Sequence, residues 1–194
     1  MRHHTESASA PTWNAELLAQ IRQQRPAGRS QLLDESAVQE QLIPGPPGAP
    51  DVRVFVIAAE KGASHPAILF IHGGGFILGD ASADLAVLQA LALKHDCVIV
   101  SVDYRLAPET AFPGPVEDAY AALKWMAASS EELGVDPSRI AVMGESAGGG
   151  LAAMLALMAR DRAEVPITQQ ILIYPMLDDR TGSTISRPYW MGAY

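Results

Sequence analysis

Ser146 stands between two glycines in Met143-Gly-Glu-Ser-Ala-Gly-Gly149, after the apolar run Ile140-Ala-Val-Met143 and before an Ala-rich stretch. Gly-x-Ser-x-Gly between a strand and a helix makes a turn so tight that side chains at the flanking positions would collide. The serine hydroxyl is then lifted clear at the strand's C-terminal end, where it could act as a nucleophile. The backbone N–H of Ala147 and the positive end of the helix dipole would lie beside a developing oxyanion. The competing reading of the same residues is a glycine-rich turn that only packs. His72-Gly-Gly-Gly-Phe76 is the second motif, directly after Ile68 to Ile71. Three successive glycines, Gly73, Gly74 and Gly75, let backbone N–H groups turn toward one point with no Cβ in the way, which suits the O⁻ of a tetrahedral intermediate. Glycines also cradle phosphates. Yet neither Gly73-x-Gly75 nor Gly148-x-Gly150 is completed by a glycine three residues later, and no Gly-Lys-Ser/Thr follows.

Such a site needs strands to carry it. Val52, Val54 and Val56 alternate with Arg53, Phe55 and Ile57 inside Asp51 to Ala59, which predicts a strand with at least one buried face. Pro66 to Ile71, Cys97 to Val102, Ile140 to Met143 and Gln170 to Tyr174 are short β-rich runs of the kind that central parallel strands show. Helical spacing marks Ser82 to Lys94, Pro115 to Leu133 and Ala147 to Arg160, with Pro115 in a first turn and Gly134 as a C-terminal cap. Alternation of this kind predicts an α/β fold, a mostly parallel sheet with helices on both faces. Upstream, Thr12 as N-cap opens a helix over Thr12 to Arg25 whose apolar face carries Trp13, Leu17, Leu18 and Ile21, and Pro26-Ala-Gly28 stops it. Pro44 to Pro50 is a connection, so the chain divides near residue 45 into an N-terminal helical part, 1–45, and a core, 46–194.

Composition narrows the function classes. The 194 residues are 48% hydrophobic and 19% charged, an ordinary globular mixture, and the net charge of −8 opposes an electrostatic hold on nucleic acid or anionic lipid. The longest nearly uninterrupted apolar or glycine run, Ala147 to Ala159, is shorter than the roughly 20 residues a membrane helix needs. No apolar segment follows the charged N-terminus as a signal peptide would require, so a cytoplasmic location is expected. Cys97 reads as a small buried apolar residue.

Taken together, His72-Gly-Gly-Gly-Phe76, Asp103-Tyr-Arg-Leu-Ala-Pro-Glu109 and Gly144-Glu-Ser-Ala-Gly-Gly149 resemble the hormone-sensitive-lipase-like esterases of the α/β-hydrolase superfamily, from about Pro44 to Tyr174. The resemblance implies Ser146 as nucleophile, oxyanion hydrogen bonds from Gly74, Gly75 and Ala147, and Gly73 shaping the loop. It implies that the segment up to about Ile43 forms part of a cap over the acyl pocket. His72, Glu145 and Asp103 are expected as structural support, His72 as a hydrogen-bonding residue of the loop and not the base. Asp103, Arg105 and Glu109 are expected in one buried or half-buried polar network. Tyr120 and Trp125 read as helix-face packing, and His65 and His95 as exposed loop residues.

Hydrolases of this kind supply their triad in the order serine, acid, histidine. All five histidines, His3, His4, His65, His72 and His95, precede Ser146. Asp161, Glu164, Asp178 and Asp179 follow it, but the family's acid comes one strand later. The expectation is an N-terminal portion of a carboxylic-ester hydrolase, incomplete at its C-terminus, that takes a small-molecule ester, needs no metal or organic cofactor, and is inactive alone. A full-length form is expected to be a homodimer, and this chain to associate in non-native ways. Two alternatives stand beside it: a non-catalytic binder of small molecules on an esterase scaffold, and a partial protein completed by another chain.

Overall fold

A computed structural model describes residues 14–24 and 32–178. Six strands form one sheet: β1 (Val38–Ile43), β2 (Val52–Ile57), β3 (His65–Ile71), β4 (Val98–Asp103), β5 (Val135–Glu145) and β6 (Gln169–Ile173), in the spatial order β1-β2-β4-β3-β5-β6. The pairs β3/β4, β3/β5 and β5/β6 are parallel, while β1/β2 and β2/β4 are antiparallel. Helices α1 (Ala15–Gln24), α2 (Leu85–His95), α3 (Gly114–Ala128), α4 (Ser130–Leu133) and α5 (Ala147–Arg162) complete the described chain.

The continuous apolar runs of the middle strands follow from burial on both faces. Val54, Val56, Leu69, Ile71, Val100 and Val102 pack with Val116, Leu123 and Met126 of α3 and Leu151 and Leu155 of α5. Their neighbours Phe55, Ile57, Phe70 and Ile99 turn to the other face and pack with Leu85, Leu88 and Ala92 of α2. Cys97 is buried in this second layer. Tyr120 is buried on α3, and Trp125 packs half-buried against the same core.

Several elements differ from the sequence reading. Val38–Ile43, read as part of the helical N-terminal segment, is a sheet strand, its Val38 paired with Ile57 and Ile43 with Val52. Gln39, Glu40 and Leu42 of this edge strand are exposed and Gln41 is half-buried, so no hydrophobic alternation announces it. β5 begins at Val135, well before Ile140, and the single helix expected to Leu133 breaks at Ser129 into α3 and α4, with Gly134 as the left-handed cap. α2 starts at Leu85 because Ser82 is occupied with Asp80 in the preceding turn. α1 is capped by Asn14, whose Oδ1 accepts the Leu17 N–H at 2.8 Å. Thr12 and Trp13 lie outside the described residues. Among the described residues no helix is long and apolar enough to cross a membrane.

Candidate active site

Parallel pairing places the C-terminal ends of three strands side by side: Ile71 of β3 faces Gly144 of β5, and Glu145 of β5 faces Ile173 of β6. Both motifs therefore leave the sheet at the same edge. Ser146 follows β5 with φ 52° and ψ −117° and opens α5. A non-glycine residue in this region carries a strain of about 1–3 kcal/mol and persists only where its surroundings over-determine it. Three backbone hydrogen bonds do so here. The Ser146 N–H donates to Ile173 O at 2.9 Å, and its carbonyl accepts from Met176 N–H at 2.9 Å and Gly150 N–H at 3.1 Å.

The flanking glycines are required by close approach. A Cβ on Gly144 would sit 2.2 Å from Gly148 O, and one on Gly148 would sit 2.1 Å from Ile71 O and 2.3 Å from His72 O. The first turn of α5 is thereby pressed onto the end of β3, where the glycine loop begins. Gly74, Gly75 and Phe76 have φ of 125°, 64° and 65°, and the loop curls so that the N–H groups of Ile77 and Leu78 both donate to Gly74 O. Among the described residues, no backbone carbonyl accepts the N–H of Gly74 or Gly75. Gly73 abuts the elbow: its added Cβ would lie 3.1 Å from Glu145 Oε1 and 3.2 Å from Glu145 O. The glycine loop thus lies against the end of β5, directly before Ser146 and the N-terminus of α5.

His72 belongs to the anchorage of this loop. Its Nδ1 donates to Gly73 O at 2.7 Å, its ring stacks on Tyr104 with centroids 4.3 Å apart, and the Tyr104 hydroxyl donates to His72 O at 3.0 Å. Nε2 lies 4.0 Å from Asp103 Oδ1, beyond hydrogen-bond distance, and has no partner among the described residues. Burial drives the imidazole pKa below its ordinary value, against the opposing pull of the Gly73 carbonyl and of Asp103, Asp80 and Asp84. The ring is therefore neutral at pH 7. Burial likewise pushes the Tyr104 hydroxyl up, so it remains a donor.

Asp103 secures the far end of the loop. It accepts the Ala81 N–H at 3.1 Å and two bonds from Arg53, whose Nη2 also reaches Asp80 at 2.6 Å. The single network expected of Asp103, Arg105 and Glu109 is in fact three separate arrangements. Arg105 grips the fully buried Asp118 with two nitrogens, at 2.8 Å and 2.7 Å. Glu109 is exposed and pairs with Arg22. Sequence reading missed Arg22, Arg53, Asp80 and Asp118, whose only signal is Arg53 interrupting an apolar strand. Glu145 accepts the Tyr174 hydroxyl at 2.9 Å and raises its pKa.

No described histidine is hydrogen-bonded to Ser146. His65 is half-buried on β3 between Asp96 and Glu60, and His95 is exposed but ends α2, so neither is the loop residue expected. His3, His4 and Asp179 lie outside the described residues. Of the later carboxylates, Asp161 pairs with Arg160, Glu164 holds Tyr120 and Lys124, and Asp178 is exposed.

The family described as having an alpha/beta hydrolase fold matches residues 68–191. The chain is 42% identical over 142 residues to "Esterase LipI" of Mycobacterium tuberculosis, covering 73% of this chain and 44% of that protein. It is 35% identical over 127 residues to an arylesterase of Saccharolobus solfataricus, covering 66% of this chain and 41% of the relative. Among solved structures, a bacterial heroin esterase superimposes with TM-score 0.72 at 42% identity, covering 87% of this chain and 51% of the other. EstE1, a thermostable carboxylesterase from a metagenomic library, gives TM-score 0.71 at 43% identity, covering 82% and 54%. The chain thus spans about half the length of these relatives.

Proposed function

The chain belongs to the α/β-hydrolase family, and we propose that it is the nucleophile-bearing part of a serine carboxylic-ester hydrolase. The observation that carries this reading is Ser146 held at φ 52° between β5 and α5, with the glycine loop against the residue before it. Relatives named as esterases support the reaction class.

In the proposed reaction Ser146 Oγ attacks the ester carbonyl carbon and gives up its proton to a base. The N–H groups of Gly74, Gly75 and Ala147 hold the resulting O⁻, in a cradle whose shape depends on Gly73. As the intermediate collapses the base returns the proton to the departing alkoxide, and water deprotonated by the same base then attacks the acyl carbon, releasing the acid and reprotonating Ser146 Oγ. No cofactor enters this chemistry. His72, Asp103 and Glu145 act as supports. A serine hydroxyl is a weak nucleophile without an adjacent base, and loss of the base alone costs roughly 10⁶ in kcat in a serine hydrolase.

Hydrolysis of a short-chain nitrophenyl ester tests the reading. The 194-residue chain should show no practical turnover. A polypeptide extended by a segment that carries an acid and a histidine should gain it, and lose it again on Ser146→Ala. Turnover by the extended protein that survives Ser146→Ala would remove Ser146 from the reaction.

A further inference from the structure

We propose that Arg22, on α1, is a positioning residue that clamps the glycine loop to the loop after β4 and so holds the oxyanion donors in place. The proposal rests on the reading of Gly74 and Gly75 as those donors. Three successive residues of the glycine loop, Gly74, Gly75 and Phe76, have positive φ. The backbone hydrogen bonds inside the loop converge on Gly74 O alone, with the His72 ring on Gly73 O beside them. A segment of this kind does not hold its own shape and depends on fastenings from outside.

One fastening is the Ala107 N–H, which donates to Phe76 O at 2.9 Å and brings the two loops together. Arg22 bridges them on either side of that bond. Its Nε donates to Ile77 O at 2.9 Å and its Nη2 to Ala107 O at 2.8 Å. Nη1 and Nη2 reach the two carboxylate oxygens of Glu109 at 2.8 Å and 3.2 Å. The guanidinium is thereby fixed in plane by Glu109 while it satisfies one carbonyl from each loop. Its hydrogen bonds hold the Glu109 carboxyl below the usual carboxylate range. A lysine is a point charge and cannot reproduce a fork with divergent acceptors. Leu18 is the one buried residue of α1, so the helix itself adds little to the core.

Loss of the clamp leaves the Ile77 and Ala107 carbonyls without this partner and frees the donors to drift. Displacement of oxyanion donors weakens the transition state more than ground-state binding. The test compares the 194-residue chain with Arg22→Ala, Arg22→Lys and Glu109→Gln by two measurements. Hydrogen exchange is followed in peptides over 15–24, 73–79, 105–109 and the strands. Modification of Ser146 by a fluorophosphonate is followed by intact mass, with maximal rate and half-saturating concentration separated.

Arg22→Ala should raise exchange in 73–79 and 105–109 and leave the strands unchanged. It should lower the maximal rate about tenfold while half-saturation moves less than about twofold. Arg22→Lys should fail to restore either reading, and Glu109→Gln should fall between. Exchange that rises only in 15–24, with loops and rate as in the parent chain, would overturn the clamp. A parent chain that is not modified at Ser146 at all would count against the nucleophile reading, and the exchange data would still decide the clamp.

Discussion

His72 is held by the glycine loop that it opens. One ring nitrogen is spent on Gly73 O, one face on Tyr104, and burial keeps the ring uncharged. Because its native pKa lies below the value of about 6.5 in an unfolded chain, the unfolded state binds the extra proton in the interval between them. Stability therefore falls as pH drops from about 6.5 to the native pKa, by up to about 1.4 kcal/mol per pH unit, and this contribution is flat below it. Urea unfolding at pH 7.5 and 5.5 should show a larger acid loss for the parent chain than for His72→Gln. Equal losses would mean that the ring is protonated in the folded state. The place of His72 after a strand and before three glycines was legible in the sequence. The contacts of Arg22 were not, because its carbonyl and carboxylate partners lie 55 to 87 residues away and only the folded loops bring them to one guanidinium.

At the scale of elements, α5 and β3 are the pair on which the site depends. Gly148 lets the first turn of α5 touch the carbonyls of Ile71 and His72, so both motifs meet at one sheet edge. Gly148→Ala puts a methyl group against backbone that cannot rotate away. Overpacking of this sort costs about 1–3 kcal/mol, or about 2–4 °C of Tm for each kcal/mol in a chain of this size. Thermal unfolding should therefore show Gly148→Ala melting several degrees below the parent, and an unchanged Tm would mean that helix and strand are further apart than described. The elements that position this junction were readable because β3 and β4 are buried on both faces and their apolar runs are uninterrupted. β1 was not readable, since an edge strand that carries Gln39, Glu40 and Gln41 in succession has no such run. The division of α3 from α4 also escaped, because Met126 and Leu133, seven residues apart, keep the helical spacing, although Ser129-Ser-Glu-Glu132 has the spacing of a capping box.

For the whole molecule, the two apolar layers on the sheet close over β2, β4 and β3, whereas β6 stays open: Gln169, Gln170 and Ile171 are exposed, as are Tyr174, Met176 and Leu177 just beyond. Ser146 and the glycine loop sit between the covered strands and β6, and among the described residues no histidine is hydrogen-bonded to Ser146. If Ser146 is the nucleophile, its reactivity comes from this mounting. Reaction of the chain with a fluorophosphonate, followed by peptide mass mapping, tests this most directly. Without a base the reaction should be slow, yet the oxyanion hole and binding alone retain about 10³ to 10⁴ over water, enough to single out one serine. One phosphonylated residue, Ser146, is expected, and no adduct in Ser146→Ala. Adducts spread over other serines and tyrosines at equal rates, with Ser146 unmodified in the folded chain, would contradict it.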